Sequence, residues 1–175
     1  IQKNAREKER VATVALNVLP EFRSVFIDSS SSALALADRA DLAFKTVVTN
    51  NLQTAMQVSK KPNVNLILLG GAVQYNTVAS TGCWTAKQLE EFSFDLAIVS
   101  CAGVNPSGAY ERSLDQREIK RTALTKSKHK ILLVDHTKFG TDCTHFLSAL
   151  SAFDFVATDE KPSAEYFADG THIVY

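Results

Sequence analysis

Seven short apolar runs punctuate the chain: SVFID (24–28), KTVVTN (45–50), NLILLGG (65–71), DLAIVSC (95–101), KILLVD (130–135), FDFVATD (153–159) and THIVY (171–175). They are rich in β-branched and aliphatic residues and are continuously apolar rather than alternating, the pattern of strands whose two faces are both covered. Between them the spacing predicts helices over about 30–40, 51–60, 83–92, 114–127 and 161–168. Strands that alternate with helices in this way predict an α/β domain, a doubly wound, mostly parallel sheet with helices on both faces.

The 175 residues suffice for one well-buried domain, and a composition 45% hydrophobic and 22% charged argues against disorder. Residues 1–18 read as an N-terminal linker helix, charged in KNAREKER and apolar from Val11, whose second half docks on the sheet; residues 19–175 form the domain proper. The chain opens on Ile1 rather than methionine, which gives the expectation that a further segment precedes it. Nineteen basic residues balance nineteen acidic ones, so total charge gives this chain no grip of its own on DNA or an anionic membrane. The apolar runs fall far short of the roughly 18 to 20 residues of a membrane span, and no secretory pattern opens the chain, so a cytoplasmic protein is expected. Cys83, Cys101 and Cys143 form no CxxC pair, which suits a reducing compartment. His129, His136, His145 and His172 lack metal-ligand spacing, and no metal or other cofactor is expected.

Nearly every strand stops on small or polar groups: Asp28, Thr49 and Asn50, Gly70 and Gly71, Ser100, Asp135, then Thr158 and Asp159. Such residues cap helices, but ligands of open parallel sheets also bind at the carboxyl ends of strands, where strand order reverses. Ser29, Ser30, Ser31 and Ser32 stand between the first strand and a helix, where free backbone N–H groups and the positive dipole end gather. That combination is an anion cradle of phosphate size. Lys138, in VDHTKFG, follows a strand that ends at Asp135 and supplies a cation at the same edge. GGAVQYNTVASTG (70–82) reads as a loop whose glycines allow close approach and whose Ser80, Thr81 and Gly82 open a helix. CAGVNPSGAYERSL (101–114) reads as a second long loop. Asp115, Arg117, Glu118 and Lys120 read as a solvated helix face.

FIDSSSSALALA, TVVTNN, LILLGG, STG, DLAIVSCAGV, REIKR, VDHTKFG and ATD occur in an order that resembles the effector-sensing domain of DeoR-type bacterial transcription regulators over nearly the full chain. The resemblance implies a fold similar to ribose-5-phosphate isomerase and glucosamine-6-phosphate deaminase, and an N-terminal winged helix-turn-helix, absent from this chain, that reads operator DNA. It further implies a homodimer or homotetramer that answers to a phosphorylated sugar, whose phosphate the serine turn and Lys138 would hold. Two departures stand out. Ser30 falls where the family commonly has glycine, and Ala102 falls where the isomerases carry an aspartate. The resemblance offers Glu118 for the isomerases' glutamate base, so the acid/base set that proton transfer needs is depleted. The expected function is therefore sensing by a non-enzyme; the alternative is a sugar-phosphate isomerase or amino-sugar-phosphate deaminase. Tyr75, Trp84, Tyr110 and Arg112 are candidate specificity contacts.

Overall fold

The computed structural model describes residues 4–167 and 170–175. In chain order its elements are α1 (Ala5–Leu16), β1 (Ser24–Ile27), α2 (Ser31–Arg39), β2 (Thr46–Thr49), α3 (Leu52–Val58) and β3 (Asn65–Leu68). Next come β4 (Ala72–Gln74), β5 (Ala79–Thr81), α4 (Cys83–Glu90), β6 (Phe94–Ser100), β7 (Gly103–Asn105), β8 (Gly108–Glu111) and α5 (Leu114–Thr125). The chain closes with β9 (Ser127–Val134), β10 (His145–Ser148), β11 (Phe155–Thr158) and β12 (Ile173–Val174).

Seven of these strands form one parallel sheet in the order β12-β11-β9-β6-β1-β2-β3. They correspond to the seven apolar runs. Side chains of successive strand residues point to opposite faces, and the strands feed two separate cores. Val25, Ile27, Leu96, Ile98, Ile131 and Leu133 pack with Val11, Ala12 and Ala15 of α1 and Leu36 of α2. Phe26, Ala97, Val99, Leu132 and Val134 pack on the other face with Leu89 of α4 and Ile119 and Ala123 of α5. The continuous apolar pattern thus has a direct cause, and α1 meets the sheet through Val11, Ala12 and Ala15.

The chain runs outward from β1 through β2 to β3, then returns to lay β6, β9, β11 and β12 on the other side of β1. Strand order therefore reverses between β1 and β6, the place where open parallel sheets take ligands in the crevice at the carboxyl ends of their strands. Among the described residues no helix is long and apolar enough to cross a membrane.

Three expectations need correction. Residues 70–82 are not a loop: β4 and β5 make an antiparallel hairpin. Its base is fastened to the main sheet, because Ser80 N–H donates to Asn50 O at 2.7 Å and Ser80 Oγ to Leu69 O at 2.7 Å. Residues 101–114 likewise contain the β7–β8 hairpin, which β10 extends to three antiparallel strands. The helix expected over 161–168 is a short 3-10 turn, Ala164–Phe167; residue 168 lies outside the described residues.

Candidate functional site

The crevice is built outward from Asp28, the first residue after β1 and almost fully buried. Its Oδ1 accepts Ser30 N–H at 2.9 Å and the Ser30 hydroxyl at 2.5 Å. Its Oδ2 accepts Ser100 N–H at 2.8 Å and lies 3.2 Å from Lys120 Nζ. A carboxylate with four donors is a fixed structural anchor: it locks the serine turn to the end of β6. Ser30 then caps α2, its Oγ accepting Ala33 N–H at 3.1 Å. Ser30 has φ −80° and ψ 150°, an extended conformation open to any residue, so the turn needs no glycine there.

Capping leaves the N–H groups of Ser31 and Ser32 without a helical acceptor, both at the positive end of α2. Ser32 Oγ is buried and has no hydrogen-bond partner among the described residues; the same holds for Asn50 Oδ1 at the end of β2. Orphaned buried polar atoms are uncommon; among the described residues the other two are Thr54 Oγ1 in α3 and Thr158 Oγ1 at the end of β11.

Ser29 turns the other way and donates to Gln116 Oε1 at 2.9 Å, while Gln116 Nε2 reaches Gln74 Oε1 on the β4–β5 hairpin at 3.4 Å. On the far side of Asp28, Ser100 Oγ donates to Leu133 O at 2.6 Å and accepts from Lys138 Nζ at 2.7 Å. Lys138 also lies 3.8 Å from Asp135 Oδ2. Burial would raise the Asp135 pKa, but hydrogen bonds from Thr137 and the charge of Lys138 outweigh it and hold the carboxyl below its usual range.

Lys120 is the residue that the sequence reading misplaced. It is 5% exposed, not on a solvated face, and its Nζ bonds Glu111, Asp28 and Ser100 O, the last at 2.9 Å. Burial alone would push its pKa down; Glu111 and Asp28 overcome this and hold the ammonium above the usual lysine value. A signal existed, because Gln116, Ile119, Lys120, Ala123 and Leu124 form one helical stripe and all are buried. The same periodicity removes Glu118 from the site. It sits on the solvent side of α5 as the ion-pair partner of Arg117, and the side chain brought to the serine row is Gln116.

The remaining expected residues fall into two groups. Thr49 and Asn50 end β2 in the crevice wall, fully buried, and Ala102 N–H donates to Tyr110 O at 2.9 Å in the β6–β7 turn. Gly70, Gly71, Ser80, Thr81 and Gly82 belong to the hairpin base and its junction with α4. Gly71 has φ 147°, and a Cβ there would come within 2.1 Å of Thr85 Oγ1, so the glycine admits α4. Thr85 Oγ1 and Gln88 Nε2 clamp Gly70 O at 2.8 and 2.9 Å. Tyr75 and Trp84 are widely exposed, Tyr110 packs edge-on against Phe146, and Arg112 is exposed.

Beside Lys138, His136 and the carboxylates of Asp159 and Glu160 could offer ligand atoms to a cation. His136 Nδ1 and Asp159 Oδ2 stand 2.8 Å apart, hydrogen-bond spacing, so the pair forms a dyad that needs no ion.

A family model described as the DeoR C-terminal sensor domain matches residues 3–160. The chain belongs to that family. Among curated relatives it is 31% identical over 163 residues to the HTH-type transcriptional regulator GolR of Listeria innocua, with 92% of this chain and 64% of that protein covered. It is also 31% identical over 162 residues to the glycerol-3-phosphate regulon repressor of Escherichia coli, covering 89% of this chain and 63% of that protein. The sensor domain therefore spans just under two thirds of the relatives it matches. Among solved structures, a D-ribose-5-phosphate isomerase in complex with phospho-erythronic acid superposes with a TM-score of 0.55 at 13% identity, over 79% of this chain and 55% of the isomerase. The DeoR sensor fold is thus ribose-5-phosphate isomerase-like, as its sequence resemblance implied.

Proposed function

We propose that this DeoR-family sensor domain binds a phosphorylated sugar or sugar-derived phosphate in the crevice between β1 and β6. The phosphate sits on the N–H groups of Ser31 and Ser32 with Lys138 as its cation. Binding alters the affinity of the full-length regulator for operator DNA. The observation that carries this reading is the serine turn itself. Asp28 and Ser30 consume each other's hydrogen bonds and leave the next two N–H groups of α2 without a helical acceptor, while Asp28 also holds Ser100, the residue that Lys138 Nζ bonds. The isomerase of the same fold is described in complex with a phosphorylated sugar acid, and one curated relative is named for glycerol 3-phosphate.

Binding without turnover follows from the groups at hand. Asp28 is saturated by donors, Gln116 cannot take a proton, Ala102 has no acid function, and Glu118 faces solvent. The domain works as a cytoplasmic homodimer or homotetramer, with exposed apolar Val73, Tyr75, Trp84 and Leu114 available for self-association. A DNA-reading helix-turn-helix precedes it, and residues 1–18 form the link. Coupling of ordinary strength changes operator affinity about 5- to 150-fold at saturating effector.

A thermal-shift series tests the reading with glycerol 3-phosphate and pentose and hexose phosphates against their unphosphorylated counterparts. One ester should stabilise the chain by about 2.7 kcal/mol at a hundredfold excess over its Kd, with no effect of the free sugar. Ser31→Pro, which removes one of the two N–H groups at the first position of α2, and Lys138→Ala should lose the response while remaining folded. Equal shifts with phosphorylated and free sugars would contradict it.

A further inference from the structure

Within the serine turn, Ser29 is tied to α5 rather than to α2: its hydroxyl donates to Gln116 Oε1 at 2.9 Å. Gln116 lies in the first turn of α5, where its N–H donates to the Ser113 cap at 3.4 Å, and it is 6% exposed. One turn further along the same buried stripe, Lys120 Nζ stands 3.2 Å from Asp28 Oδ2. α5 therefore holds the serine turn at two points, and these fix the Gln116 carboxamide relative to the head of α2.

A carboxamide has two N–H donors and two acceptor lone pairs. Ser29 takes one lone pair. Gln116 Nε2 meets Gln74 Oε1 of the β4–β5 hairpin at 3.4 Å, longer than the roughly 2.7–3.2 Å of an ordinary N–H···O bond. Gln74 is itself loosely held, with Thr77 Oγ1 at 3.4 Å from its Oε1 and Asp115 Oδ2 at 3.5 Å from its Nε2. Ser29, Gln116 and Gln74 thus form a neutral polar chain with bonding capacity to spare. A hydroxyl group, which both donates and accepts, is its chemical complement. The charged group that touches the chain is the exposed carboxylate of Asp115, which does not favour a second anion there.

We propose that Gln116 is a specificity-determining contact, reading a free hydroxyl on the carbon chain of the phosphate ester. The ligand class is accordingly a phosphate monoester of a polyol or sugar rather than a phosphate as such. This rests on the phosphate-binding reading above and deepens it: the N–H groups of Ser31 and Ser32 and Lys138 hold the phosphate, and Gln116, fastened by Ser29 in the same turn, reads what the phosphate carries.

The test is amide NMR titration of this chain with methyl phosphate, a monoester with no hydroxyl on carbon, and with glycerol 3-phosphate, ribose 5-phosphate and glucose 6-phosphate. The quantity read is the preference, the Kd for methyl phosphate divided by that of the tightest hydroxylated ester. Wild type is compared with Gln116→Leu and with Glu118→Gln, on the solvent side of the same helix. Loss of a hydrogen bond that leaves a buried partner unmatched should cut the preference about tenfold in Gln116→Leu, with a smaller change in methyl phosphate binding. Glu118→Gln should keep the wild-type preference.

A preference unchanged in Gln116→Leu overturns the contact. Equal weakening of methyl phosphate and the hydroxylated esters also overturns it, because Gln116 then only supports the turn; either result leaves the phosphate reading standing. So does a wild type that binds methyl phosphate as tightly as every hydroxylated ester, which overturns the proposed specificity. Wild type that binds none of the four probes overturns both. Should Gln116→Leu fail to fold, Ser29→Ala takes its place: it removes the anchor of Gln116 Oε1, and an unchanged preference in that variant overturns the proposal.

Discussion

Replacing Lys120 with methionine keeps the volume of the side-chain stem and removes one ammonium from a buried cluster. Its Nζ serves Asp28 Oδ2 at 3.2 Å, Ser100 O at 2.9 Å and the Glu111 carboxylate, and all three residues are buried. Asp28 would keep the N–H groups of Ser30 and Ser100, but Glu111 would lose the donor that neutralises it. Stranding a buried charge costs about 3–5 kcal/mol. With a urea m-value of about 2 kcal/mol/M, the midpoint should fall by about 1.5–2.5 M at about pH 7.5.

The pH dependence gives the prediction its sign. In the variant a stranded carboxyl has a folded pKa raised above its unfolded value of about 4. Its favourable contribution is fully present below that unfolded value and is lost as pH rises through the folded pKa. The deficit against wild type should therefore be small near pH 4 and widen toward pH 8. Wild-type Lys120 has a folded pKa above the unfolded value of about 10.4, so its own contribution is constant over this range and is lost only in stronger alkali. Adding Glu111→Gln to Lys120→Met should restore a large part of the loss at neutral pH. Equilibrium urea unfolding followed by circular dichroism at several pH values measures all of this. A variant within about 1 kcal/mol of wild type at neutral pH, or a deficit independent of pH, would refute the reasoning, because either result means the cluster is not charged and dry.

Three further outcomes are expected. Ser30→Ala removes the cap of α2 and should cost about 1 kcal/mol in urea unfolding, while Ser29→Ala, whose hydroxyl meets only Gln116, should cost less. Gly71→Ala combines a φ of 147° with a Cβ aimed at Thr85 Oγ1 and should cost about 1–3 kcal/mol by the same assay. His136, hydrogen-bonded to Asp159 at 2.8 Å, should titrate above about 6.5 by NMR and return to the ordinary value in Asp159→Asn; its stabilising contribution is full below about pH 6.5 and fades as pH rises through the folded pKa.

The parallel sheet was legible because burial on both faces leaves an unbroken apolar record in the inner strands, from Val25 to Ile27 and from Ile131 to Val134. The two hairpins left no such record. Ala72 and Val73 are exposed, β7 has three residues, and neither turn carries an Asn-Gly signal, so short antiparallel pairs looked like loops. The serine turn was legible as a strand-to-helix junction, and its Asp28 anchor was visible beside it. What joins the site was not legible, because it lies in contacts between distant residues: Ser29 with Gln116, Ser100 with Lys138, Asn4 with Thr137. Lys120 and Glu118 are a different matter. A charged residue on a helix reads as solvated, although the 3.6-residue period sets Lys120 among Gln116, Ile119 and Ala123 and Glu118 opposite them.

The central claim is tested most directly by a crystal structure of this chain with the phosphate ester that gives the largest thermal shift. The phosphate oxygens should lie within about 3 Å of the Ser31 and Ser32 N–H nitrogens and of Lys138 Nζ. A phosphate bound elsewhere, with Ser31, Ser32 and Lys138 untouched, would contradict the account.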